Sequence, residues 1–176
     1  WSASDDAKIV QQGKTWHTWG DIRVLAERID AELTRVGCGE GSRIGVVLGN
    51  RVESVASLIA ILGKGRTIIT LNPMQPTARV TADAVASRPQ VVLAPGSSWD
   101  ETEFEIALAE AGMVGFAVDG LDIVQRAGGP EVTIEVPKNE KEPVAVEMFT
   151  SGTTGPPKRI PLTWRQLEAA LDAVHG

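Results

Sequence analysis

Short apolar runs recur along this chain, and between them the apolar residues return at helical spacing. Residues 43–48, 66–71, 91–93, 114–118 and 144–149 are Val-, Ile- and Leu-rich runs of strand length. Strands separated by helices of about 10–15 residues are joined by crossovers rather than tight hairpins. The chain is therefore read as α/β, with a mainly parallel sheet and helices on both faces. At 176 residues it has the length to bury a core as one domain or part of one.

Start and stop signals divide the helices. Thr18-Trp19-Gly20-Asp21 reads as a capping box ahead of Ile22, Leu25, Ala26, Ile29, Leu33 and Val36, and Gly37 ends that helix. Trp16 and Trp19 are read as packing residues of the same helix. Asn50 with Glu53 is read as the cap of a second helix, with Val55, Leu58, Ile59 and Leu62 on its apolar face and Gly63 as its stop. A third starts at Pro76 and ends at Arg88-Pro89. Asp100 and Glu103 are read as capping a fourth, which runs to about Ala111. Residues 121–136 are expected to hold one or two short strands, with Gly128-Gly129-Pro130 as a turn. Residues 137–143 form a charged connector. Arg159–Leu162 reads as a return strand, and Thr163 with Gln166 caps a last helix.

The stretch with the most chemistry is Phe149-Thr150-Ser151-Gly152-Thr153-Thr154-Gly155-Pro156-Pro157-Lys158-Arg159-Ile160. It follows a strand-like run. Its glycines let backbone N–H groups approach an oxyanion, its hydroxyls donate hydrogen bonds, and its lysine supplies a mobile charge. A polyphosphate is the ligand such a loop suits. It is not a Walker A loop, because Pro156 follows Gly155. At the Gly63-Lys64 pair, Leu58 stands where the first Walker glycine belongs. The plainer alternative is a Gly/Thr/Pro turn between two strands.

Other function classes have less to stand on. The net charge is −6 and the basic residues are scattered, which disfavours a nucleic-acid binder. Cys38 is the single cysteine and the two histidines, His17 and His175, lie far apart, so no metal site is expected from them. No apolar run reaches the length of a membrane span and no signal peptide is seen, so the expected location is cytoplasmic. The acidic stretch Asp100–Glu105 reads as a solvated helix start favoured by the helix dipole.

The order Thr-Ser-Gly-Thr-Thr-Gly-x-Pro-Lys resembles the phosphate-binding signature of the adenylate-forming (AMP-binding) superfamily, which includes acyl-CoA and aryl-CoA synthetases, luciferases and nonribosomal peptide synthetase adenylation domains. Thr15–Ile22, Gly41–Asn50 and Ile68–Pro73 are similar to earlier parts of the same enzymes. About residues 14–176 fit, with the weakest likeness at about 95–140. Two positions depart from the pattern. Arg159 stands where a glycine usually follows the lysine, and Thr163-Trp164 stands where a Ser/Thr-His pair is usual.

What the resemblance implies is an enzyme that activates a carboxylic acid. The acid attacks the α-phosphate of ATP held with Mg2+, pyrophosphate leaves, and coenzyme A takes the acyl group. Thr150, Ser151, Gly152, Thr153, Thr154, Gly155 and Lys158 would line the phosphates, with Thr153, Thr154 and Lys158 the most sensitive. Residues 1–176 would be the N-terminal α/β subdomain of such an AMP-binding domain, cut after the phosphate loop. The remainder of the enzyme would complete the site, so no catalytic residue is assigned within this chain. Two alternatives stay open: an adenylation domain that loads a carrier protein, and a non-catalytic module keeping the loop as a turn. Neither the acid nor the oligomeric state is readable.

Overall fold

The computed structural model describes residues 4–135, 142–150 and 158–175. A hairpin opens it. Strand β1 (Lys8–Gln12) pairs antiparallel with β2 (Thr15–Thr18). Helix α1 (Trp19–Arg35) follows, then β3 (Arg43–Val47), α2 (Val52–Leu62), β4 (Thr67–Leu71), α3 (Thr77–Ser87) and β5 (Val91–Ala94). After a 3-10 turn at Gly96–Trp99 come α4 (Thr102–Glu110), β6 (Val114–Asp119) and β7 (Asp122–Ala127). The described chain closes with β8 (Val144–Thr150), β9 (Lys158–Thr163) and α5 (Trp164–His175).

Seven strands form the main sheet in the order β7-β6-β5-β3-β4-β8-β9. The five from β6 to β8 are mutually parallel, and an antiparallel strand closes each edge. The expected parallel α/β sheet is therefore present.

Strand alternation divides the core into two layers. Ile44 and Val46 of β3, Val91 and Leu93 of β5, and Val114, Phe116 and Val118 of β6 turn to one face. There they meet Ile22, Leu25, Ile29 and Leu33 of α1 and Ala56, Ala60 and Ile61 of α2. Val47, Leu71, Val92, Ala94 and Ala117 turn to the other, against Val80 and Ala84 of α3 and Phe104 and Leu108 of α4. Burying each large aliphatic or Phe side chain contributes roughly 1.5–3 kcal/mol. These two layers supply the main cohesion, with helices on both faces as expected. Trp99 closes the second layer against Gly115. A Cβ there would stand 2.3 Å from the indole, so this strand can cross the ring only as glycine.

Several local expectations are met. Thr18 Oγ1 accepts from the Asp21 amide, and Asp21 accepts from the Thr18 amide, completing the capping box. The hydrogen bonds from the Asp21 carboxylate's capping partner hold its pKa below the usual range. Thr163 and Gln166 make the same reciprocal pair ahead of α5.

Others need correction. Trp16 lies on β2, not on α1, and is 47% exposed. The β1–β2 hairpin had no counterpart in the sequence reading. Residue Arg51, not Asn50, is the N-cap of α2; its own side chain makes no capping bond, and the Val52 amide donates instead to Gln12 Oε1 at 2.9 Å. The buried face of α2 is Val52, Ala56, Ala60 and Ile61, while Val55, Leu58, Ile59 and Leu62 are only partly buried against the core. Helix α4 is likewise capped at Glu101 without a side-chain bond. The stretch 121–135 meets its expectation, with one strand, β7, and a bend at Gly128. The charged connector lies largely outside the described residues.

Candidate functional site

Topology decides where the hydroxyl-rich loop emerges. Strand β3 continues into α2 on one sheet face, and its neighbour β4 continues into α3 on the other. Chains leaving adjacent parallel strands in opposite directions open a crevice outside their carboxyl ends, where ligands bind in open α/β sheets. Strand β8 runs parallel to β4 and adjoins it, so its carboxyl end lies at the same edge of the sheet. The loop begins there.

Of the residues assigned to the phosphates, Thr150 ends β8 and Lys158 opens β9. The two are opposite each other in the antiparallel register. They form the paired base of a hairpin. Ser151, Gly152, Thr153, Thr154 and Gly155 lie outside the described residues.

The base of this hairpin is held by polar contacts. Thr67 Oγ1 donates to the Val144 carbonyl at 2.7 Å, and Thr70 Oγ1 to the Glu147 carbonyl at 3.3 Å. Glu147 is 1% exposed in the middle of β8. Arg43 gives its carboxylate two hydrogen bonds, from Nε at 3.0 Å and Nη2 at 2.7 Å. Arg159 Nη2 adds a third at 2.5 Å. A buried carboxylate needs such partners. The sequence carried a signal for this group: Glu147 interrupts an otherwise apolar strand run, which demands a cationic neighbour. Arg159, which an anion-binding reading would aim at phosphate, is turned onto Glu147.

A second polar group sits at the carboxyl ends of β3, β5 and β6. Arg51 bonds both oxygens of Glu53 at 3.2 Å and reaches Asp119 at 2.9 Å. Glu53 also accepts from the Gly120 amide, and Asp119 accepts from the Gly96 amide. Burial would raise the Glu53 carboxyl, but the Arg51 and Gly120 hydrogen bonds hold it below the usual range. Beside it is a recess of about 20 Å³, lined in part by Ser54, Ser57, Pro95 and Val118. That is space for about one water molecule. The group ties the α2 N-terminus to the β6–β7 turn, so Glu53 is a cross-link rather than the expected cap.

Among the described residues, no three His, Cys, Asp or Glu side chains gather as a metal site. No described helix is long and apolar enough to cross a membrane.

Residues 2–175 match the family model described as AMP-binding enzyme. The 4-coumarate–CoA ligase CCL1 of Humulus lupulus is 28% identical over 161 residues, which covers 88% of this chain and 29% of the ligase. The hybrid PKS-NRPS synthetase prlS of Fungal sp. (strain NRRL 50135) is 29% identical over 155 residues, 88% of this chain and 4% of that protein. Among solved structures, O-succinylbenzoate coenzyme A synthetase (MenE) from Bacillus subtilis, in complex with AMP, superposes with a TM-score of 0.64. It is 23% identical, with 94% of this chain and 41% of that chain covered. This chain thus spans less than a third of the length of these two curated relatives.

Proposed function

The chain belongs to the AMP-binding enzyme family, and from that premise we propose that it is the N-terminal part of an ATP-dependent acid–CoA ligase. The observation that carries this reading is the β8–β9 hairpin. Its base, Thr150 paired with Lys158, lies at the carboxyl edge of the parallel strands, on the side of the crevice between β3 and β4.

In this reading a carboxylate substrate attacks the α-phosphate of ATP, and negative charge grows on the departing pyrophosphate. Amides of Gly152 and Gly155, hydroxyls of Thr150, Ser151, Thr153 and Thr154, and the Lys158 ammonium would stabilise that charge. Mg2+ would accompany the triphosphate, and coenzyme A would receive the acyl group. The rest of a longer enzyme would supply the acid pocket and the catalytic residues. The 176-residue chain alone is expected to release no pyrophosphate in response to acid.

The test is acid-dependent ATP–pyrophosphate exchange by the longer enzyme, run against fatty, aryl and amino acids. Exchange with one class would identify the substrate class. Lys158→Ala is expected to lower the exchange rate by about 100-fold while changing the apparent affinity for the acid much less. Wild-type turnover by that variant would remove Lys158 from the mechanism.

The likeness to the PKS-NRPS synthetase supports a second reading, an adenylation domain that loads a carrier protein. Transfer of the activated acyl group to coenzyme A, or to a carrier-bound thiol, separates the two.

A further inference from the structure

Arg159 directly follows the lysine assigned to phosphate, so a cation at this position invites a role as a second phosphate ligand. Its side chain does something else. On β9 it stands opposite Phe149 and reaches diagonally along the hairpin to the Glu147 carboxylate. Glu147 is also gripped by Arg43, whose side chain spans β4 to reach β8. One buried carboxylate thereby joins three strands, β3, β8 and β9. The ladder between β4 and β8 is short, with Ile68 opposite Val146 and Ile69 opposite Glu147. The Arg43–Glu147–Arg159 group therefore adds a side-chain anchor just where the hairpin leaves the sheet.

We propose that Glu147, gripped by Arg43 and Arg159, is a positioning clamp that fixes the base of the phosphate hairpin. Arg159 acts through Glu147 and is not itself a phosphate ligand. This rests on the ligase reading for its link to ATP, but the clamp itself is a property of this chain's own side chains. Glu147→Ile strands Arg43, whose side chain is only 12% exposed, whereas Arg159→Gly leaves Glu147 with Arg43 as its remaining partner; replacing all three groups together removes both defects. A direct phosphate ligand would behave otherwise, because its loss could not be repaired by also deleting Glu147 and Arg43.

The experiment compares Glu147→Ile, Arg159→Gly and the triple variant Arg43→Met/Glu147→Ile/Arg159→Gly in the longer enzyme, reading KM for ATP and kcat separately in ATP–pyrophosphate exchange. Glu147→Ile is expected to raise KM for ATP by about tenfold and Arg159→Gly by about threefold, and the triple to return within about twofold of wild type. Arg159→Lys, which keeps the charge, is expected to fall between wild type and Arg159→Gly. Equal impairment of Arg159→Gly and the triple, with Glu147→Ile unaffected, would overturn the proposal and make Arg159 a phosphate ligand. Single variants indistinguishable from wild type would overturn it too. If the wild-type enzyme shows no exchange, the ligase reading fails, and amide hydrogen exchange on this chain then decides the clamp. Faster exchange across 144–150 and 158–163 in the single variants, restored in the triple, supports it; unchanged exchange overturns it.

Discussion

Cys38 illustrates how burial governs a single residue's chemistry. It sits just beyond α1, 2% exposed, and burial pushes its thiol up to about 11 from an ordinary value of 9.0. Because the folded thiol holds its proton more tightly than the unfolded one, its contribution to stability is fully present below pH 9. It is lost as pH rises toward 11. Two expectations follow from the same shift. At pH 8 the native thiol reacts with iodoacetamide about 100-fold more slowly than in the denatured chain, and the midpoint of urea unfolding falls between pH 9 and 11. Fast native labelling, measured by intact mass, would contradict both. Glu147 shows another use of burial, a carboxylate enclosed in the sheet with both oxygens paired to guanidinium groups.

Between elements, Arg66 is the most heavily used connector. It lies one residue before β4 and is 3% exposed. Its guanidinium donates to Asp30 and Thr34 of α1, to the Cys38 carbonyl after that helix, and to the Ala60 carbonyl of α2. Arg66→Met keeps the aliphatic volume and strands these acceptors. It is expected to cost about 3 kcal/mol, seen as a lower urea midpoint with an unchanged slope. A loss below about 0.5 kcal/mol would show that water replaces the guanidinium. Helices α1, α3 and α5 and all five parallel strands were legible in the sequence, because periodicity and local caps report burial directly. The β1–β2 hairpin was not, since its short, half-exposed strands carry no such signal. Helix α2 is apolar nearly all round, so its buried side could not be chosen from spacing. The hydroxyl-rich loop was read as a motif, and only its two ends, Thr150 and Lys158, fall within the described residues. The Glu147 clamp was not, because Arg43 is 104 residues away in sequence and only the folded sheet brings it near.

For the whole molecule, the sheet divides by sequence distance. Strands β3 to β7 are joined to their neighbours by crossovers or turns, so that half of the fold assembles through nearby contacts. Strand β8 instead returns to lie beside β4, on the far side of the sheet from β6 and β7, where Thr67 meets Val144 across 77 residues of chain. Closing so long a loop carries an entropic cost that must be met before the contact yields any gain. The β8–β9 hairpin is therefore expected to dock last. In pulse-labelling hydrogen exchange during refolding, amides of 43–47 and 91–94 should be protected before those of 144–149. Simultaneous protection would mean that the long closure is part of the folding nucleus. If the hairpin holds nucleotide as proposed, its late docking would leave that capacity to the final step of maturation, so chains caught midway would have a packed core yet remain blind to ligand.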